Sequence, residues 1–355
     1  MRAAALAAAL ISWCATARAA PPEGGDGDFI PPATRPLVLL AQGDAVVAGT
    51  PARPGDPPEG ASLRLRRVRV GEDFTLGRRF HVRAALDAQQ ADVFGDHFEP
   101  LDGGRLTGPV RAVDSFASWT PNLAIHVDAG VLRVPFSLTR QVGEADLRLP
   151  ERPPFARALT PDFRAGAGVS GDLGAIAYAA AVMSASRFLD GDLFDRGALL
   201  AARLVAEPIG PVGVTPWRRP RDDPWTDWFR FRHAVSFLYG TLAEPRTVGA
   251  GMDLSAQWRR FVATSEYVFV HAPSGNRQGA ALEPGVTLGA RRLDLVARGS
   301  WERTGGANGW SAGGAVTAYG PDPRARLQVG FERHLGAASL AAANYAIARL
   351  TFAID

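Results

Sequence analysis

The chain has 355 residues, a formal charge of +3, a single cysteine (Cys14) and no lysine, so every one of its 39 basic residues is arginine. One thiol is too few for a disulfide scaffold or a Cys-ligated metal. A nearly balanced charge with no basic cluster on one helix gives nothing for nucleic acid to bind.

The first element is Met1–Ala19. A basic start, an uncharged stretch from Ala3 to Trp13 and the Ala17-Arg18-Ala19 site predict a signal peptide cleaved after Ala19. The stretch is too short to span a bilayer as a helix. Cleavage removes Arg2, Arg18 and Cys14, leaving a cysteine-free mature chain of net charge +1. Residues 20–35 are rich in Pro and Gly and predict a flexible lead, and 51–60 predict a long turn. From 36 to 355 a single theme continues, which predicts one domain.

That theme is period-two alternation broken by Gly, Pro, Asp and Asn. Phe80, Val82, Ala84 and Leu86 alternate with His81, Arg83 and Asp87. Phe261, Ala263, Ser265, Tyr267 and Phe269 alternate with Arg260, Thr264 and Glu266. Leu327, Val329 and Phe331 oppose Arg326, Gln328 and Glu332, and the final strand sets Leu350 and Phe352 against Arg349 and Thr351. The polar faces carry full charges, and aromatics such as Tyr239, Tyr267, Trp301 and Tyr319 close the apolar ones as girdles would. Beyond residue 20 the longest uncharged apolar run is Ile176 to Met183, so no helix spans a membrane. A closed barrel conceals its apolar content in exactly such alternation. The expected class is all-β: a transmembrane antiparallel β-barrel of about 16 strands (14–16), at ~10 residues per strand plus turns and loops. A barrel that wide encloses an aqueous lumen.

Three stretches resemble the phosphate-selective porin O and P family. They are Leu65-Arg66-Arg67-Val68-Arg69-Val70-Gly71 with Phe74 to Asp87 as the returning strand, Gly130-Val131-Leu132-Arg133-Val134-Pro135-Phe136-Ser137-Leu138, and the Gly-rich strand, turn and strand from Arg164 to Tyr178. Asp146-Leu147 and Glu151-Arg152 fall where that family carries an Asp-Leu and a Glu-Arg. The resemblance covers residues 60–210 and continues beyond only in rhythm. It implies a 16-stranded, trimeric porin of the bacterial outer membrane, general or anion-preferring, with an inward constriction loop. The chain departs from the family by lacking lysine and by ending in Asp355 after Ile354.

Proline cannot donate to a strand ladder, so pairing is expected to end at Pro135 and the chain to turn inward there. Arg133, Arg140, Arg148, Arg152 and Arg157 become the candidates for a constriction that binds small anions, because a guanidinium fork matches phosphate and carboxylate oxygens. Arg64, Arg67, Arg69 and Arg83 are candidates for a positive lumen wall. The opposing reading is that these arginines neutralise facing acids. Residues 218–228, with interleaved Arg and Trp, read as a loop, and the six histidines show no metal-site spacing. The expected function is passive diffusion of small hydrophilic solutes, with outer-membrane lipid as surroundings, a homotrimer as assembly, and no cofactor, metal or nucleic acid. Two alternatives stand beside it: a non-conducting structural or adhesion barrel, and an outer-membrane enzyme, for which no serine–histidine motif is visible.

Overall fold

A computed structural model describes residues 37–48, 60–89, 110–185, 197–209, 212, 229–288, 293–320, 325–335 and 345–354, less the turn positions 78, 123, 144–145 and 242–245. The expected signal peptide, lead, 51–59 turn, His97 and the 218–228 loop lie outside these residues.

Seventeen strands form one antiparallel sheet that closes on itself: β1 (Leu37–Ala48) pairs with both β2 (Gly60–Leu76) and β17 (Tyr345–Ile354). The others follow in chain order. They are β3 (Phe80–Gln89), β4 (Val110–Ala112), β5 (Ser115–Asn122), β6 (Ile125–Arg133), β7 (Phe163–Asp172), β8 (Ile176–Ser184), β9 (Ala198–Ala206) and β10 (Arg230–Gly240), then β11 (Thr247–Trp258), β12 (Phe261–Ala272), β13 (Gly275–Leu288), β14 (Leu293–Thr304), β15 (Ala307–Tyr319) and β16 (Ala325–Leu335). Both β4 and β5 pair with β3, so the two pieces share one place and the barrel has sixteen positions. Asp114, with φ 44°, makes the break between them.

Alternation sets the two faces. On β16 Leu327, Val329 and Phe331 are exposed outward while Arg326, Gln328 and Glu332 are buried inward. On β17 Leu350 and Phe352 point outward, and Arg349 and Thr351 inward. Outward placement also holds for Tyr267 and Trp301, the latter packed on Trp310. Tyr319 differs from expectation: it shares the inward parity of Thr317 and is 7% exposed, so it belongs to the interior rather than to a girdle. The early hairpin also differs. β2 runs on through Gly71 and Phe74 to Leu76, and the turn falls at residues 77–79, because Glu72 to Leu76 continue the ladder with Ala84 to Phe80. Both chain termini of the barrel and most of its short turns lie at one end; the segment between β6 and β7 leaves from the other.

Candidate functional site

Pairing of β6 with β7 stops at Arg133–Phe163, two residues before Pro135. The Phe136 N–H bonds back to the Val134 carbonyl at 2.8 Å, a tight turn that sends the chain off the sheet. The segment from Val134 to Asp162 then folds into the barrel. It carries two short helices, α1 (Leu138–Gln141) and α2 (Pro154–Leu159), the first capped by Ser137 Oγ and the second started by prolines, whose fixed φ suits a first helical turn.

The segment is seated by glycines. A Cβ at Gly249 would meet the Phe136 ring, and one at Gly279 the Phe155 ring; Pro150 lies against Gly330 and Arg148 against Gly285. Around the two phenylalanines Val134, Leu159, Met183, Leu199, Leu238, Val268 and Val270 make an apolar cluster on the inner wall. An apolar cluster inside a lumen that is otherwise polar has a clear physical use, since it removes the segment's Phe and Leu side chains from water.

Polar bonds then fix the segment around more than half of the wall. Ser137 Oγ donates to Glu266 at 2.5 Å, and Thr139 donates to the same carboxylate through its hydroxyl and its N–H. Ser236 donates to the Phe136 carbonyl, and Gln328 to that of Leu147 at 2.9 Å. Arg349 grips Asp44 through two bonds (2.7 and 2.9 Å), Glu151 at 2.7 Å and the Pro150 carbonyl. Arg298 joins Glu283 (2.8 Å) and Glu332 (3.3 Å) and donates to the Glu151 carbonyl at 2.8 Å.

The candidate constriction residues divide. Arg148, buried, forms a bidentate pair with Asp294 at 3.0 Å on each arm. Arg152, also buried, donates to the Val142 carbonyl at 3.0 Å. Arg133 donates to the carbonyls of Arg140 and Gln141 at 3.0 Å, closing the C-terminal end of α1, and reaches Asp114 at 3.4 Å. Arg140 bonds the Ala156 carbonyl and Thr160 and stands 3.5 Å from Asp162. Arg133 and Arg140 remain partly exposed, as do Thr139, Gln141, Val142 and Gly143, so this stretch is the segment's open edge. The side chains of Arg157 and Arg64 lie outside the described residues.

Among the wall candidates, Arg67 and Arg69 face Asp87 (3.4 and 3.5 Å), and Arg69 also faces Asp114 at 3.3 Å. Arg83 holds Asp73 with two bonds of 2.7 Å. The structure thus brings Arg67, Arg69, Arg133 and Arg140 into one neighbourhood linked through Asp87, Asp114 and Asp162, and places Arg148 and Arg152 apart from it. The inward positions of β6–β8 are His126, Asp128 and Gly130, then Gly166, Gly168 and Ser170, then Ala177 and Ala179, all half-buried, and beside them Ala181 and Met183, which are buried in the apolar cluster.

Several interior residues escape a reading by alternation. By alternation Arg66 should face outward, one position out of phase with Arg67 and Arg69. A β-bulge opposite Gln42/Gly43 resets the phase, so Arg66 and Arg67 are both buried and Arg66 reaches Glu151 at 3.2 Å. The pairs Arg203–Asp253 (2.5 Å) and Arg298–Glu283 were visible only as isolated charges in strands. Among the described residues no group of three or more His, Asp or Glu is placed to hold a metal ion.

No protein-family model matches the chain, and no curated protein does. Solved structures do match. A triple-substituted variant of the Rhodobacter blastica porin aligns over 90% of this chain and 99% of its own, with 12% identity and a TM-score of 0.56. OmpF of Salmonella typhi, solved with daunomycin, aligns over 90% and 97% with 10% identity and a TM-score of 0.61. Likeness at such low identity speaks for the fold: the chain shares the barrel architecture of these porins.

Proposed function

We propose that the chain is an outer-membrane channel for passive diffusion of small hydrophilic solutes, assembled as a homotrimer and selective for small anions. The observation that carries this reading is a closed sixteen-position barrel with an apolar exposed outer face and a charged inner face, into which one segment folds while its own edge at Thr139–Gly143 and the small inward residues of β7 and β8 stay partly exposed. An outer surface of exposed Phe, Leu, Val and Trp suits lipid and not water. The structural neighbours named as porins support the same reading.

In this reading Arg133 and Arg140, at the open edge, act on the permeating ion, and Arg67 and Arg69 extend the positive wall. Four guanidiniums stand there against the carboxylates of Asp87, Asp114 and Asp162. Arg148 and Arg152 hold the segment in position. An anion in a narrow section gives up part of its hydration and screening, so a fixed guanidinium attracts it more strongly than in bulk water. The preference fades with salt, as the Debye length falls from ~10 Å at 0.1 M to ~3 Å at 1 M.

Single-channel recording in a planar bilayer tests both parts. Stepwise conductance is expected, with an anion-side reversal potential in a low-salt gradient. The Arg133→Ala, Arg140→Ala double variant is expected to lose that preference while conducting. Cation selectivity in the wild type refutes the anion part. Absence of conductance supports the second reading, a plugged structural barrel, which the continuous bonding of the segment from β10 round to β2 favours.

A further inference from the structure

The outer face of the barrel carries an apolar groove of about 860 Å³ over β11–β17. Its course follows from the strand register. Ala256, Ala263, Ala297 and Gly314 occupy one register level and form a low floor, Pro284 stands opposite Ala263 at the same level, and exposed Phe331, paired with Gly314, closes the floor at β16. The next level is bulky and forms a wall: Trp258, Phe261, Val286, Leu295, Val316 and Val329 are paired across in succession. The ladder between β13 and β14 skips Glu283–Pro284 opposite Ala297–Arg298, because proline has no N–H to donate.

The wall starts at the barrel's edge and moves away from it. At β11–β12 it coincides with the hairpin turn itself, Trp258 and Phe261 being the last and first strand residues. On β13 two strand residues lie beyond it, on β15 three, and on β17 six, counted from Ala348, which pairs with Val329. The short turns at this end mark one edge of the barrel, so the floor descends obliquely from the β11–β12 turn to Gly314, five strand residues from the end of β15, about 17 Å at ~3.4 Å each. That reaches well into a hydrocarbon layer of ~30 Å even after strand tilt.

At the shallow end the groove meets charge. The turn is Arg259-Arg260, both exposed, and Arg259 lies over the Trp258 ring with its guanidinium carbon 5.3 Å from the centroid. Exposed Phe229 flanks the same mouth. Two cations with interfacial aromatics, continuous with an apolar channel that sinks into the bilayer, complement an anionic head joined to a long apolar chain.

We propose that this groove is a specific site for one glycerophospholipid, its phosphate held by Arg259 and Arg260 and one acyl chain lying over Ala263, Pro284, Ala297 and Gly314. The inference rests on the membrane placement proposed above. A barrel that fails to insert into bilayers refutes that placement, whereas a barrel that inserts and conducts but retains no lipid refutes only the site.

The test uses the full mature barrel folded in detergent, exchanged into mixed micelles of detergent and phosphatidylglycerol and read by native mass spectrometry. One bound lipid per barrel is expected to survive conditions that strip the remainder. Ala263→Phe with Ala297→Phe fills the floor without touching the interior, and is expected to abolish the retained lipid. Arg259→Gln with Arg260→Gln is expected to weaken retention by about tenfold or more, as loss of charge-assisted bonds to phosphate does. Heat-dependent gel mobility confirms that each variant is a folded barrel; should the Phe pair prevent folding, the single smaller change Ala297→Leu serves as the groove-filling variant. Equal lipid retention in the wild type and both variants overturns the site. A groove-filling variant that changes the oligomeric mass instead overturns it too, by assigning the surface to a second copy of the chain.

Discussion

Asp294 has no exposed surface, and apart from Thr287 its partner is Arg148, which reaches it from the infolded segment. A buried pair contributes little in net terms relative to apolar residues, but removing one partner strands the other's charge at a cost of ~3–5 kcal/mol. Arg148→Ala is therefore expected to lower the temperature at which the folded band disappears in a heat-modifiability gel. Arg148→Ala with Asp294→Ala is expected to recover most of that loss. If the double variant is as unstable as the single one, the ion pair is not the source of the effect. The same logic explains why the inward turn at Pro135 makes Arg148 legible as an interior group but not as a fastening: its partner lies 146 residues away.

At the scale of elements, the inward turn at Pro135 was legible because a missing N–H is a local property. The seats that receive the segment were not. Gly279 looks in sequence like any small residue in a strand, and only the structure shows Phe155 of α2 occupying its missing side chain. Gly279→Leu is expected to push α2 off the wall, raising single-channel conductance and open-channel noise while the barrel stays folded. Unchanged conductance would mean that α2 does not border the conducting path. The bulge opposite Gln42/Gly43 was equally hidden, since Arg66-Arg67 reads as ordinary alternation until one extra residue shifts the phase. Tyr319 misled for the opposite reason: an aromatic near a strand end suggests a girdle, but its parity with Thr317 decides its face.

For the whole molecule the alternating pattern sufficed to give the class and close to the strand count, because every strand must satisfy the same inside–outside rule. Leu350, 61% exposed on the outer face, tests that rule in the proposed membrane setting. Leu350→Arg is expected to destabilise the barrel by ~2–4 kcal/mol if the site lies near the bilayer midplane, measured by denaturant unfolding in lipid vesicles. No loss of stability would place this face against something other than hydrocarbon. The chain positions of the groups around Glu151 carry a different message, about time. Arg66 arrives with the second strand of the chain and Arg349 with the last, and both must be in place to receive Glu151. The Glu151 end of the inner segment therefore cannot lock until β1 and β17 have met and the sheet is a ring. The Phe136 seat on β11 and the Glu266 bonds on β12 need no ring, so the Glu151 anchorage is expected to be the last part of the interior to set.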